Sequence, residues 1–204
     1  MKKNVIFSII FLFFLTSILK GSSLPDEEKI ITTIFLVRHA EKAQDSTSDP
    51  PLTSEGKARA QELAYILKHV PLVAIYSTPY IRTQQTALPT AEARSLQINS
   101  YKPGEEESFL KKILSKHTGE NVLIIGHSNT VPVLANHLSG STQFSPLDDN
   151  TYDNIFILSV PQKGYPVITR LRFGEHTPEL IKERKSNSNR EEQPICYTSE
   201  TSAS

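Results

Sequence analysis

Short apolar runs alternate along the chain with longer segments in which apolar residues recur every three or four positions. The short runs predict strands, because a nearly continuous apolar segment is typical of a strand buried on both faces of a sheet. The predicted strands are 33–37, 72–76, 96–101, 121–125, 154–160 and 167–173, and a turn at Lys163-Gly164 joins the last two.

The segments between these runs predict helices at 54–68, 80–95, 108–117 and 131–138. Thr53 can cap the first helix, whose buried side is predicted to contain Ala58, Leu63, Ile66 and Leu67. Pro89 is expected to interrupt or kink the second, because proline has no N–H to donate. Strands that alternate with helices predict the α/β class, as a three-layer α/β/α sandwich with a mainly parallel sheet.

The ends of the chain differ from this central pattern. Lys2 and Lys3 precede an apolar run at 5–19 and a small polar exit at 20–23, an order typical of a secretory signal peptide. A retained N-terminal anchor is the alternative, although the run is short for a span of roughly 20 residues. We therefore predict a signal peptide or anchor at 1–23 and an exported protein, periplasmic or extracellular, that is membrane-attached only if the segment stays.

The predicted folded domain covers 26–180, and the polar segment 181–204 is expected to be disordered, because it cannot bury enough surface to offset its ordering entropy. The chain has 22 basic and 22 acidic residues, a formal net charge of +0. No global field therefore draws it to nucleic acid or to an anionic membrane, and any affinity for phosphate must be local.

Basic side chains follow three of the predicted elements. Arg38 and His39 end the first strand, Arg82 lies one turn into the second helix, and His127 follows the fourth strand. Ligands bind beyond the carboxyl ends of parallel strands, so we expect these four side chains to meet at one edge of the sheet. Guanidinium forks and helix amides suit a dianionic group, and a neutral imidazole beside them is a nucleophile.

Four segments together resemble the histidine phosphatase (phosphoglycerate mutase-like) superfamily. The segment 36–42, Leu-Val-Arg-His-Ala-Glu-Lys, is similar to its opening motif, and 51–56 to the start of its first helix. The segment 76–87 resembles its arginine motif, and 122–127 the strand that delivers its second histidine. The later run 148–154 resembles members close to the small bacterial phosphohistidine phosphatases.

The resemblance implies a phosphatase that hydrolyses a phosphomonoester or phosphoramidate without a metal or organic cofactor. His39 would become phosphorylated, while Arg38, Arg82 and His127 would bind the phosphoryl oxygens and stabilise the transition state. Asn129 is a further candidate for substrate binding. The implied substrate is a phosphorylated small molecule or a phosphoprotein, and nucleic acid is not an expected partner.

The general acid is the least defined part of the predicted site. Ala40 replaces the glycine that usually follows the first histidine, and the region where larger members place a Glu contains Asn99, Ser100 and Tyr101. Glu105 is the preferred acid. The open alternatives are Glu106, Glu107, Asp148 and Asp149.

Two other functions fit part of the pattern. A phosphate-binding pseudoenzyme of the same fold would keep the pocket without turnover. A serine hydrolase would use Ser128, because residues 126–130 are similar to a nucleophile elbow, but Thr130 stands where that motif needs glycine. The roles of Glu41 and Lys42, as supports of the site or as a solvated ion pair, stay open.

Overall fold

A computed structural model of the protein describes residues 30–176. The predicted signal peptide or anchor at 1–23 and the predicted disordered tail at 181–204 lie outside the described residues. Within 30–176, no helix is long and apolar enough to cross a membrane. The exported location stays a prediction.

A six-stranded sheet forms the centre of the described region, in the order β3-β2-β4-β1-β5-β6. Its four strands from β3 to β1 are mutually parallel, whereas β5 runs antiparallel to both of its neighbours. The mainly parallel sheet is therefore confirmed. The strands are β1 (Ile31–Arg38), β2 (Leu72–Ser77), β3 (Ile98–Ser100), β4 (Asn121–Gly126), β5 (Asn154–Pro161) and β6 (Val167–Arg172).

Helices cover the two faces of this sheet. They are α1 (Ser54–Ile66), α2 (Ile81–Arg94), α3 (Glu106–Lys116) and α4 (Thr130–Ser139). Successive residues of β1 enter different cores: Ile34 packs in the cluster that contains apolar residues of α3 and α4, and Phe35 in the cluster that contains those of α1 and α2. This alternation, which follows from the two-residue period of a strand, builds the predicted three layers.

The structure corrects two details of the predicted helices. Ala58 and Ile66 are exposed, whereas Arg59 is buried on that side of α1, because its guanidinium group binds Glu41. Helix α2 continues through Pro89, so of the two expected effects of this proline the interruption does not occur. One missing backbone hydrogen bond is outweighed there by the face of α2 that is buried against the sheet.

Candidate active site

The predicted basic residues line one cavity of about 340 Å³ at the carboxyl ends of the parallel strands. Strand β1 ends at Arg38 and is followed by His39, and His127 follows β4 in the same way. Arg82 belongs to the first turn of α2. The other residues that line the cavity are Lys42, Tyr80, Pro103, Ser128, Asn129, Thr130 and Asp149.

His39 is buried and electrically neutral. Its Nδ1 lies 2.8 Å from the carbonyl oxygen of Ala40, which can only accept, so Nδ1 has the hydrogen and Nε2 has the lone pair. Burial lowers the pKa of His39 to about 3; the hydrogen bond to Ala40 opposes this shift, and Arg38 adds to it. The imidazole is therefore in its nucleophilic form throughout the physiological range.

His127 lies beside His39, with 5.4 Å between the ring centroids. Burial, followed by the charges of Arg82 and Arg38, lowers the pKa of His127 to about 4. Its backbone N–H donates to the hydroxyl of Thr130 over 2.8 Å. Gly126 permits this turn, because a Cβ at that position would lie 2.7 Å from the same hydroxyl oxygen.

Arg38 is held by uncharged groups. Its Nη1 donates to the backbone carbonyls of Asp148, at 2.8 Å, and Thr151, at 2.9 Å. Its guanidinium carbon lies 4.2 Å from the centre of the Tyr152 ring, a cation–π distance. These contacts fix the guanidinium group and leave its charge available to a ligand.

Arg82 is held by a carboxylate. Its Nη1 lies 3.1 Å from Oδ1 of Asp49, which also accepts from the backbone N–H of Ile81 at the start of α2. Its guanidinium carbon lies 4.5 Å from the centre of the Tyr80 ring. Asp49 was not among the residues singled out from the sequence, because it lies in a polar loop without a periodic pattern.

Each of these arginines has a buried Nε that meets no hydrogen-bond partner among the described residues. Buried donors without a partner are rare in native proteins and cost about 1–3 kcal/mol each. The same two guanidinium groups line the cavity together with the neutral imidazole of His39, and their charge suits a ligand that is rich in acceptor oxygens. The cavity is therefore suited to an anion.

Glu41 ties the segment after His39 to α1. Arg59 donates from Nη2 and Nε to the Glu41 carboxylate at 2.7 and 2.9 Å, and from Nη1 to the carbonyl of Phe173 at 2.9 Å. Gly56 makes this packing possible, since a Cβ there would overlap the carbonyl oxygen of Glu41. Glu41 is therefore a support of the site rather than part of a solvated ion pair with Lys42.

Glu105 does not reach the cavity, which corrects the preferred assignment of the acid. Its side chain is 57% exposed, lies 3.2 Å from the ammonium group of Lys102, and lines a separate depression with Glu106 and Glu107. Asp148 lines a neighbouring cavity, whereas Asp149 lines the cavity of His39. The position of the acid depends on loop conformation, which the strand and helix pattern did not specify.

The residues of a serine triad are not assembled. Ser128 lines the cavity, but of the two histidines downstream, His137 lies in the depression beside Glu105 and His176 lies 3.5 Å from Asp153. No hydrogen bond joins Ser128 to either histidine within residues 30–176. Asn129 lines the cavity as expected, immediately before α4.

Comparison with known proteins agrees with this fold. The model of the histidine phosphatase superfamily (branch 1) matches residues 34–102. A phosphoserine phosphatase 1 from Hydrogenobacter thermophilus is 41% identical over 71 residues, which are 32% of this chain and 34% of that protein. The match thus spans about a third of the length of that relative.

Two solved structures have the same fold. The protein histidine phosphatase SixA, in a complex with tungstate, has a TM-score of 0.58 at 21% identity, over 69% of this chain and 96% of its own. A phosphoserine phosphatase from Entamoeba histolytica has a TM-score of 0.55 at 16% identity, over 71% and 98%. The α/β sandwich places His39 and His127 directly after β1 and β4, with one arginine at the end of β1 and the other in the first turn of α2. Over residues 34–102 the chain is similar to the histidine phosphatase superfamily, and the described region has the fold of these two solved structures.

Proposed function

We propose that the protein is a phosphatase that hydrolyses a phosphomonoester or phosphoramidate through a phosphohistidine intermediate on His39. The observation that supports this most directly is the neutral His39 imidazole, which lines the same cavity as the guanidinium groups of Arg38 and Arg82. The phosphatase names of the relatives agree with it.

The reaction begins with attack of the His39 Nε2 lone pair on phosphorus. The bond from phosphorus to the leaving oxygen or nitrogen breaks, and the leaving group takes a proton. Water then attacks the phosphohistidine, the bond from phosphorus to Nε2 breaks, and the proton that the water loses returns to the group that protonated the leaving group. Inorganic phosphate leaves, and His39 returns to its neutral form. Arg38 and Arg82 stabilise the charge that spreads over the equatorial phosphoryl oxygens in both steps.

Asp149 is the candidate proton donor. Of the five carboxylates that the sequence offered, it is the one among the residues that line the cavity. Its carboxylate forms no ion pair with any residue between 30 and 176, so it is available to a leaving group. A good leaving group, such as the nitrogen of a phosphohistidine, would need this acid less.

His39→Ala tests the nucleophile. We expect hydrolysis of p-nitrophenyl phosphate to fall to the background rate with the fold preserved, because His39 lies at a strand end rather than within an apolar core. Thermal unfolding and circular dichroism check the fold. His137→Ala, a histidine outside the cavity, is the matched control and keeps the wild-type rate. A rate near wild type in His39→Ala would overturn the mechanism.

A single-turnover experiment separates a phosphatase from a phosphate-binding pseudoenzyme. A substrate labelled in the phosphoryl group is expected to leave an acid-labile label on the wild type and none on His39→Ala. A protein that binds vanadate but never acquires the label would be the pseudoenzyme.

A further inference from the structure

We infer that a buried relay of two threonine hydroxyls, Thr78 and Thr83, fixes His127 as a proton acceptor towards the cavity, so that a phosphate dianion binds together with one added proton. The inference deepens the proposed function, because it concerns the same cavity. It assigns Thr78 as a positioning residue, and it defines the protonation state in which the phosphoryl group is held.

The relay starts at the Thr83 hydroxyl. Its oxygen lies 2.8 Å from the backbone carbonyl of Thr78 and 2.8 Å from that of Tyr80. Carbonyl oxygens only accept, whereas the Thr78 hydroxyl can either donate or accept, so the relay assigns the single proton of the Thr83 hydroxyl to one of the two carbonyls. Thr83 and Thr78 are both completely buried, so water does not supply an alternative partner.

The Thr83 proton determines the direction of the next two hydrogen bonds. The Thr78 hydroxyl oxygen lies 2.9 Å from that of Thr83, and since the Thr83 proton is used, Thr78 is the donor. The Thr78 oxygen lies 2.9 Å from Nε2 of His127, and since the Thr78 proton is now also used, Nε2–H is the donor there. The neutral ring of His127 therefore has its hydrogen on Nε2 and a lone pair on Nδ1.

A lone pair on Nδ1 has a consequence for the ligand. Nε2 is committed to the buried relay, so Nδ1 is the ring nitrogen left for a group in the cavity. A phosphate dianion has only acceptor oxygens, and two acceptors without a proton between them repel. A hydrogen bond between them forms only when a proton is added, either on Nδ1 or on the phosphoryl oxygen. His127 then helps to hold the phosphoryl group through this shared proton.

Several charged or titratable groups face His127 and can influence this proton. The neutral imidazole of His39 is the strongest competitor, because its Nε2 is also unprotonated. The edge of the Tyr80 ring approaches at a centroid distance of 5.1 Å. The other groups around the cavity are Arg38, Arg82, Lys42, Asp49, Asp149 and Tyr152. The number of protons taken up on phosphate binding must therefore be compared between variants that differ only in the threonine relay.

Calorimetric binding of inorganic phosphate, in buffers with different ionisation enthalpies, measures the protons taken up. At pH 8 phosphate is mainly a dianion, and we expect His39→Ala protein, which lacks the competing imidazole, to take up close to one proton per bound phosphate. Adding Thr78→Val removes the acceptor of Nε2–H and frees the ring to place its hydrogen on Nδ1, so uptake falls towards zero. Adding Thr78→Ser restores the hydroxyl and the uptake.

The ¹⁵N chemical shifts of His127 in the empty wild-type protein provide a readout that needs no variant. The relay requires the tautomer with hydrogen on Nε2, and the Nδ1–H tautomer would overturn the inference. Phosphate binding without proton uptake, or equal uptake with Thr78→Val and Thr78→Ser, would also overturn it. None of these measurements depends on turnover. A failure to label His39 would remove the proposed function and leave the relay standing.

Discussion

The two arginines that line the cavity of His39 are held by different kinds of group. Backbone carbonyls of the 148–151 loop hold Arg38, and the aspartate that follows in that loop, Asp149, lines the cavity without an ion pair among the described residues. On the other side, Asp49 forms the ion pair with Arg82 directly, at 3.1 Å. Each arginine thus has an aspartate nearby, but only Asp49 forms an ion pair with its arginine, Arg82.

This difference separates two tasks. On the Arg38 side no described residue forms a direct ion pair with the guanidinium group, and under the proposed mechanism the nearby carboxylate serves the leaving group. On the Arg82 side a phosphoryl group must share the guanidinium with Asp49, which makes that contact weaker and more easily exchanged. We therefore expect Arg38 to contribute more to transition-state stabilisation than Arg82 does.

Replacing each arginine by lysine is the strongest test of this difference. Lysine keeps the charge and loses the planar fork, and removal of an electrostatic contact of this kind costs about 10²–10³ in rate. We expect Arg38→Lys to lie at the upper end of that range and Arg82→Lys at the lower end. The measurements are kcat/KM for p-nitrophenyl phosphate and the inhibition constant of vanadate.

Lys57→Gln, on the exposed side of α1, is the control and leaves both values unchanged. Equal losses in the two arginine variants would remove the distinction between the two sides. An unchanged vanadate inhibition constant in Arg82→Lys would show that Arg82 does not contact the phosphoryl group.

The assignment of the acid predicts a smaller, substrate-dependent effect. Asp149→Asn should slow an alkyl phosphate by about 10²-fold and p-nitrophenyl phosphate far less, because nitrophenolate leaves without much proton transfer. Glu105→Gln, outside the cavity, should slow both substrates equally little. Rate ratios measured at one pH below neutrality and one above check both variants. If Asp149→Asn affects the two substrates alike, Asp149 does not protonate the leaving group.

The sequence predicted the parts of the site that follow from regular structure. His39 and His127 come directly after buried strands, and parallel strands end at the same edge of a sheet, so their proximity could be predicted from order alone. Arg82 followed in the same way from its place in the first turn of α2. The family resemblance then assigned the roles.

The parts that were missed depend on contacts between segments far apart in sequence. The bond between Thr78 and His127 joins residues 49 positions apart, and that between Arg82 and Asp49 joins residues 33 positions apart. A threonine in a strand-to-helix turn has no pattern that marks it as a histidine partner. Glu105 was misplaced because its acidity and spacing did not reveal which way the loop before α3 turns.

Asp49→Asn should produce the smallest change in phosphate affinity. Whether the affinity rises or falls tests the difference between the two arginines directly. Asparagine has nearly the same shape and can still accept from the N–H of Ile81 at the start of α2. It removes the negative charge that competes with a ligand for Arg82. Both side chains are partly exposed, at 15% for Arg82 and 31% for Asp49, so solvent screens the pair and the gain is modest.

We therefore expect inorganic phosphate to inhibit Asp49→Asn a few-fold more strongly than wild type, with the difference shrinking as salt is added. The pKa of His127 should also fall further in this variant, because the negative charge of Asp49 raises that pKa in the wild type. Asp45→Asn, in the same loop but bonded to Thr47, is the matched control. If phosphate instead binds Asp49→Asn more weakly, Asp49 orients Arg82 more than it competes for it. Both arginines would then be equally well oriented for a ligand, Arg38 by backbone carbonyls and Arg82 by a carboxylate. The two sides of the cavity would differ only in which aspartate can act as the acid.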